Sequence, residues 1–134
     1  MKLDAVFRFG AAVLLSGQLL CFILPWEDLY SERSMAALLF YGADSLLDES
    51  FLNAISYGLL ALYVLTYAGL YFFLRWARGI FLALALLGGL WIPVYGVAVQ
   101  SGYEAMLGYF LTLGDGFLLG LAFFSKVSQR FAKT

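Results

Sequence analysis

Histidine is absent from the 134 residues, cysteine occurs once, as Cys21, and charged side chains make up only 13% of the chain. The first two shortages remove imidazole acid–base chemistry, His-ligated haem and almost every zinc or iron–sulfur site, which need several nitrogen or sulfur ligands converging. One cysteine forms no disulfide within a chain, and inside an apolar helix it reads as a small packing residue. The shortage of charge is the most informative. A water-soluble domain carries about 25% charged residues, so this chain is too apolar for that class. Net charge is −1, which leaves no electrostatic footprint for nucleic acid. Neither a phosphate-cradling glycine loop nor a nucleophile–base pair is present. These absences together describe a protein that is not an enzyme and has no cofactor and no metal.

What is present is hydrophobic length. Hydrophobic residues make up 63% of the sequence, and mean hydropathy is +0.89. A helix needs about 20 mostly apolar residues to cross the hydrocarbon core, and four runs qualify, at about 5–24, 51–74, 79–99 and 105–124. The expected fold is an all-α, polytopic four-helix membrane bundle forming a single domain over 1–134. The first run follows Lys2 and Arg8 but precedes Pro25, Trp26, Glu27 and Asp28 rather than a small-x-small cleavage site, so it reads as a retained helix.

Charge sets the expected orientation. Seven of the eight cations (Lys2, Arg8, Arg75, Arg78, Lys126, Arg130, Lys133) fall on one side of the four runs. The first long loop, 26–50, holds six acids and only Arg33. The positive-inside rule then puts both termini in the cytoplasm, with a bacterial inner membrane as the expected location. Trp26, Tyr103 and Trp76 fall at expected boundaries, as interfacial aromatics do. The middle of the long loop, Met35 to Tyr41, is apolar but too short to span, which predicts a short helix lying at the interface. Ser50 is the expected N-cap of the second run. The acids Glu27, Asp28 and Glu32 make the loop a candidate contact surface for a basic or cation-bearing partner.

Within the runs, small residues and hydrogen-bonding groups decide which faces pack, because lipid is as apolar as leucine. Gly108, Thr112, Gly116 and Gly120 recur every four residues along the last run. That spacing predicts a ridge which a neighbouring helix approaches closely, either within the bundle or from another protein. Gly89, Pro93, Gly96 and Gln100 mark one side of the third run, and Gly10, Gly17 and Cys21 one side of the first. The second run carries Asn53, Ser56, Tyr57, Tyr63, Tyr67 and Tyr71, a hydroxyl-bearing stripe expected to face protein or water.

Asp115 is the residue that stands out. It lies mid-run between Gly114 and Gly116, with no cation at its depth. A carboxylate facing lipid there costs at least about 2.5–3.5 kcal/mol, so it is expected to face the bundle interior as a neutral acid. Tyr63 and Tyr67 are the expected partners, with Gln18 and Ser16 at neighbouring depth. Two roles stay open for it: a structural hydrogen-bond anchor, or a site for a proton, a cation or a polar substrate group.

Three known membrane patterns are absent. CDP-alcohol transferases need further acids beyond Asp115-Gly116, claudin-like proteins need paired loop cysteines, and small multidrug carriers need an acid deep in the first helix. The readable features concern packing, which favours an accessory or interaction protein whose partners are the bilayer and another membrane protein or a second copy. The alternative is a small carrier, or an ion- or proton-coupled protein, using Asp115 and the tyrosine stripe.

Overall fold

In the computed structural model the described residues are 3–25, 28, 30–41, 49–91 and 101–132. They form six helices and no strand: α1 (Leu3–Ile23), α2 (Glu32–Tyr41), α3 (Glu49–Tyr71), α4 (Arg75–Trp91), α5 (Gly102–Phe124) and α6 (Ser128–Phe131). Three segments are long and apolar enough to cross a membrane, Leu3–Ile23, Asn53–Tyr71 and Gly102–Phe124. The third expected span is described only as far as Trp91, so residues 92–99, with Pro93 and Gly96, lie outside the described residues, as do Gln100 and Trp26.

The long helices form a ring in which α1 lies beside α3 and α5, α3 beside α4, and α4 beside α5. Consequently α3 and α5 face each other across the centre. The seam between α1 and α5 is antiparallel and built from glycines receiving leucines. A Cβ on Gly10 would come within 3.2 Å of Leu118 Cδ2, and one on Gly17 within 2.8 Å of Leu111 Cδ2. Between those two contacts the roles reverse, and Leu14 of α1 sits over Gly114 of α5. Such close backbone approach is what membrane helices use in place of a hydrophobic driving force.

The α3–α4 turn is a Schellman-type helix end: the Leu74 amide donates to Gly69 O at 2.8 Å and the Phe73 amide to Leu70 O at 3.0 Å. Phe73 takes the left-handed position there, with φ of 59°. A side chain in that region costs about 1–2 kcal/mol, and glycine is the usual occupant. The offset is packing, because the Phe73 ring stacks on Phe7 at 5.6 Å and meets Phe131 edge-on at 5.4 Å.

Two boundary expectations change. Ser50 lies inside the first turn of α3 rather than before it, because the helix already includes Glu49. The chain after α5 is also more than a cationic tail. Ser125 ends α5, its hydroxyl donates to Leu121 O and accepts from the Val127 amide, and the chain turns back through α6. That reversal puts Val127 and Phe131 in the core, both 0% exposed. Hydropathy averaged over a window misses two apolar residues spaced among Lys and Arg.

Candidate functional site

The polar residues singled out in the middle of the runs converge on one place. Tyr67 of α3 is 1% exposed, and its hydroxyl donates to Asp115 Oδ1 of α5 at 2.5 Å, across the centre of the ring. Counting residues from the helix starts puts Tyr63, not Tyr67, level with Asp115. The difference arises because side chains in a helix lean back over the preceding turn, so the long tyrosine delivers its hydroxyl about one turn nearer the start of α3. Tyr63 stacks on Tyr67 with ring centroids 6.3 Å apart. Among the described residues no Lys or Arg makes an ion pair with Asp115, and its hydrogen-bond partner is Tyr67.

Tyr63 also lines the wall of a crevice of about 260 Å³ between α1 and α3, with Gln18, Cys21 and Ser56 among the other lining residues. Gln18 therefore joins the same constellation through Tyr63 rather than by direct contact with Asp115. On its other side Tyr63 borders an apolar cavity of about 420 Å³ between α3 and α4, lined by Ile55, Leu84, Leu87 and Gly88 among others. The tyrosine stripe is not one uniform face. Tyr57 and Tyr71, at its edge, are 65% and 41% exposed, while Tyr63 and Tyr67 turn inward.

Below this constellation the bundle closes. Phe7, Phe73 and Phe131 meet in one aromatic cluster, with Phe7 and Phe131 edge-on at 5.8 Å. Arg8 lies over Phe73 at 5.0 Å and Arg78 over Phe131 at 5.8 Å. Asp4 of α1 pairs with Arg130 of α6 at 2.7 Å. The arrangement is a part-buried Tyr67–Asp115 hydrogen bond, flanked by the stacked ring of Tyr63 at a crevice wall and backed by an aromatic plug.

The helix-packing residues sort differently. Gly108, Gly116 and Gly120 have nothing among the described residues within 4 Å of an added Cβ. Thr112 is exposed and its hydroxyl bonds back to Gly108 O at 2.9 Å. The close approach expected on this ridge takes place instead on the other side of α5, at Gly114, Leu111 and Leu118. Within the chain the ridge is therefore not the packed face: a four-residue repeat drifts by about 40° per step round a 3.6-residue helix, so it winds away from α1, and approach by another protein stays open. Gly89 is likewise exposed with nothing against it, and Gly96 lies outside the described residues.

In the 26–50 loop, Asp28 and Glu32 are exposed and Glu27 lies outside the described residues. One contact there escaped the sequence reading. Tyr30 donates to Glu104 Oε2 at 2.7 Å, tying the loop to the first turn of α5, which Ser101 caps by accepting from the Glu104 amide. Tyr30 loses its proton less readily than an ordinary phenol, chiefly because of this hydrogen bond and then because of burial. An isolated loop tyrosine carries no periodic signal that would have pointed to it.

Compared with protein-family models, curated proteins and solved structures, the chain has no significant match.

Proposed function

We propose that this chain is a small four-span protein of the bacterial inner membrane with both termini cytoplasmic, acting as an accessory protein that associates with another membrane protein or a second copy of itself. The observation that carries this reading is the two-sidedness of α5. One face is locked into α1 through Leu111, Gly114 and Leu118, whereas no described residue covers Gly108, Thr112 and Gly116, which lie beside exposed Tyr109 and Leu113. Uncovered small residues along a membrane helix permit a second helix to approach closely. The apolar sequence at 92–99, after the end of α4 at Trp91, supports the fourth span, and the segregated cations support the orientation. The exposed acids Asp28 and Glu32 offer a further contact outside the bilayer.

Cysteine cross-linking in native membranes tests the association. In a Cys21→Ser background, Gly116→Cys should give a cross-linked adduct whose composition mass spectrometry reads, whereas Gly17→Cys, inside the α1–α5 seam, should give none. Equal yields at both positions, or none at Gly116 together with a monomer in mild detergent, would reject the reading.

A second reading, a small carrier or proton- or ion-coupled protein, is favoured by one specific feature: a crevice walled by Tyr63, whose ring stacks on the tyrosine that hydrogen-bonds Asp115. It requires Asp115→Asn to abolish flux in liposomes while the fold survives, since asparagine keeps both a donor and an acceptor.

A further inference from the structure

At the closed end of the bundle, a groove of about 510 Å³ runs between α1 and α3, lined by Asp4, Ala5, Arg8, Phe9, Ala12 and Tyr71. Its one unneutralised charge is cationic. Arg8 is exposed, and its guanidinium lies over the Tyr71 and Phe73 rings at 5.3 and 5.0 Å. A guanidinium presents five N–H donors in a plane, and the two rings beneath Arg8 bind its cationic face. Among the described residues Arg8 makes no ion pair. The acid in the groove, Asp4, is already engaged: its Oδ2 accepts from Arg130 Nη2 at 2.7 Å and Nε at 2.9 Å. Below the cation the lining turns apolar through Phe9, which is 71% exposed, and the exposed Ala12.

An oriented cation above an apolar channel, on a helix long enough to span a bilayer, matches one kind of occupant. We propose that this groove is a binding site for one anionic phospholipid, its phosphate on the Arg8 guanidinium and its first acyl carbons along Phe9 and Ala12. Arginine forks match phosphate oxygens in pairs, and the groove's volume accommodates a glycerophosphate headgroup. Tyr71, whose ring supports Arg8 and lines the groove, adds a phenol as a neutral hydrogen-bonding group. The bulk attraction of basic residues for anionic lipid is non-specific. This site differs because its arginine lies over two rings and borders a groove with an apolar wall at Phe9 and Ala12. The proposal is independent of the association surface on α5.

The full chain, purified in mild detergent, tests it by thermal melting and native mass spectrometry with added phosphatidylglycerol, phosphatidylcholine or inorganic phosphate. Phosphatidylglycerol should raise the melting temperature more than phosphatidylcholine does, and one bound molecule should survive into the gas phase. R8Q should weaken that binding about tenfold or more, as loss of a charge-assisted hydrogen bond to phosphate implies. R75Q, which removes a cation outside the groove, should leave it unchanged. A12W keeps Arg8 and its ring contacts but fills the channel, so it separates lost binding from lost folding and should also abolish the bound lipid. Equal losses in R8Q and R75Q would reduce the effect to general charge attraction and overturn the proposal. Full binding in A12W, or stabilisation by inorganic phosphate equal to that by the lipid, would overturn it too.

Discussion

The two ends of this bundle are built by different means. At the end where the termini meet the α3–α4 turn, three phenylalanines from three separate parts of the chain interlock, two arginines cover them and an ion pair joins α1 to α6. At the other end, among the described residues, a crevice lies between α1 and α3, Phe22 and Tyr57 meet edge-on while both remain exposed, and Tyr30 hydrogen-bonds Glu104. Asp115 and Tyr67 lie where the open half meets the closed one. Close packing resists any change in volume, whereas a splayed end can admit another molecule. Among the described residues the aromatic end is the more closely packed of the two and acts as a clamp on the fold.

The comparison breaks most readily at the clamp. Phe131→Ala removes a fully buried ring and should cost about 3–5 kcal/mol, the usual range for a buried phenylalanine. Phe22→Ala at the open end should cost well under that. Thermal melting in one detergent compares the two variants, and similar losses would mean that the open end is packed as firmly as the clamp.

Next in size comes the choice of face on α5. Gly114→Leu or Gly17→Leu drives bulk into the α1 seam and should cost about 1–3 kcal/mol by overpacking. Gly116→Leu should leave the melting temperature of the isolated protein almost unchanged while lowering cross-linked adduct in membranes. If Gly116→Leu is the more destabilising in the isolated chain, the seam has been assigned to the wrong face.

At the junction of the halves, Asp115→Asn should keep the fold, because an amide still accepts from Tyr67. Asp115→Leu leaves that buried hydroxyl unpaired and should cost about 1–3 kcal/mol. Melting curves of the two variants separate geometry from chemistry. Loss of stability with asparagine equal to that with leucine would show that the carboxyl makes contacts beyond the one to Tyr67.

The smallest effect belongs to the loop tie. Tyr30 holds its proton more tightly in the folded protein, because its hydroxyl donates to Glu104. Its contribution is therefore complete below the free-tyrosine pKa of about 10 and is lost as the pH rises through the higher folded value. A difference titration of phenolate absorbance between the wild type and Tyr30→Phe should show one component ionising above the free-tyrosine value. A component at or below that value would show that the tie is not held in solution.

Legibility in the sequence followed the range of the signal. The apolar runs, the inward need of Asp115 and the candidacy of Tyr67 were readable because each depends on a residue's own depth and chemistry. The α5 seam was not. Gly114 and Gly116 have the same composition and nearly the same neighbours, and only the placement of α1 makes one of them packed and the other open. Phe131 was hidden for a similar reason, since its partners Phe7 and Phe73 are distant in the chain.

By itself, then, the sequence determined a chain of apolar helices with one acid that lipid will not tolerate and cations gathered beside particular turns. Those are properties of single residues and short windows, settled by the cost of exposing polar groups to hydrocarbon. Tertiary structure decided which tyrosine meets that acid, which glycines admit a neighbour, and that Arg8 stands over two rings beside an open groove. These pairings span up to 126 residues of sequence, as between Asp4 and Arg130, and depend on how whole helix surfaces fit together. Steric fit between two surfaces belongs to neither sequence segment alone, so it appears only once the helices are placed side by side.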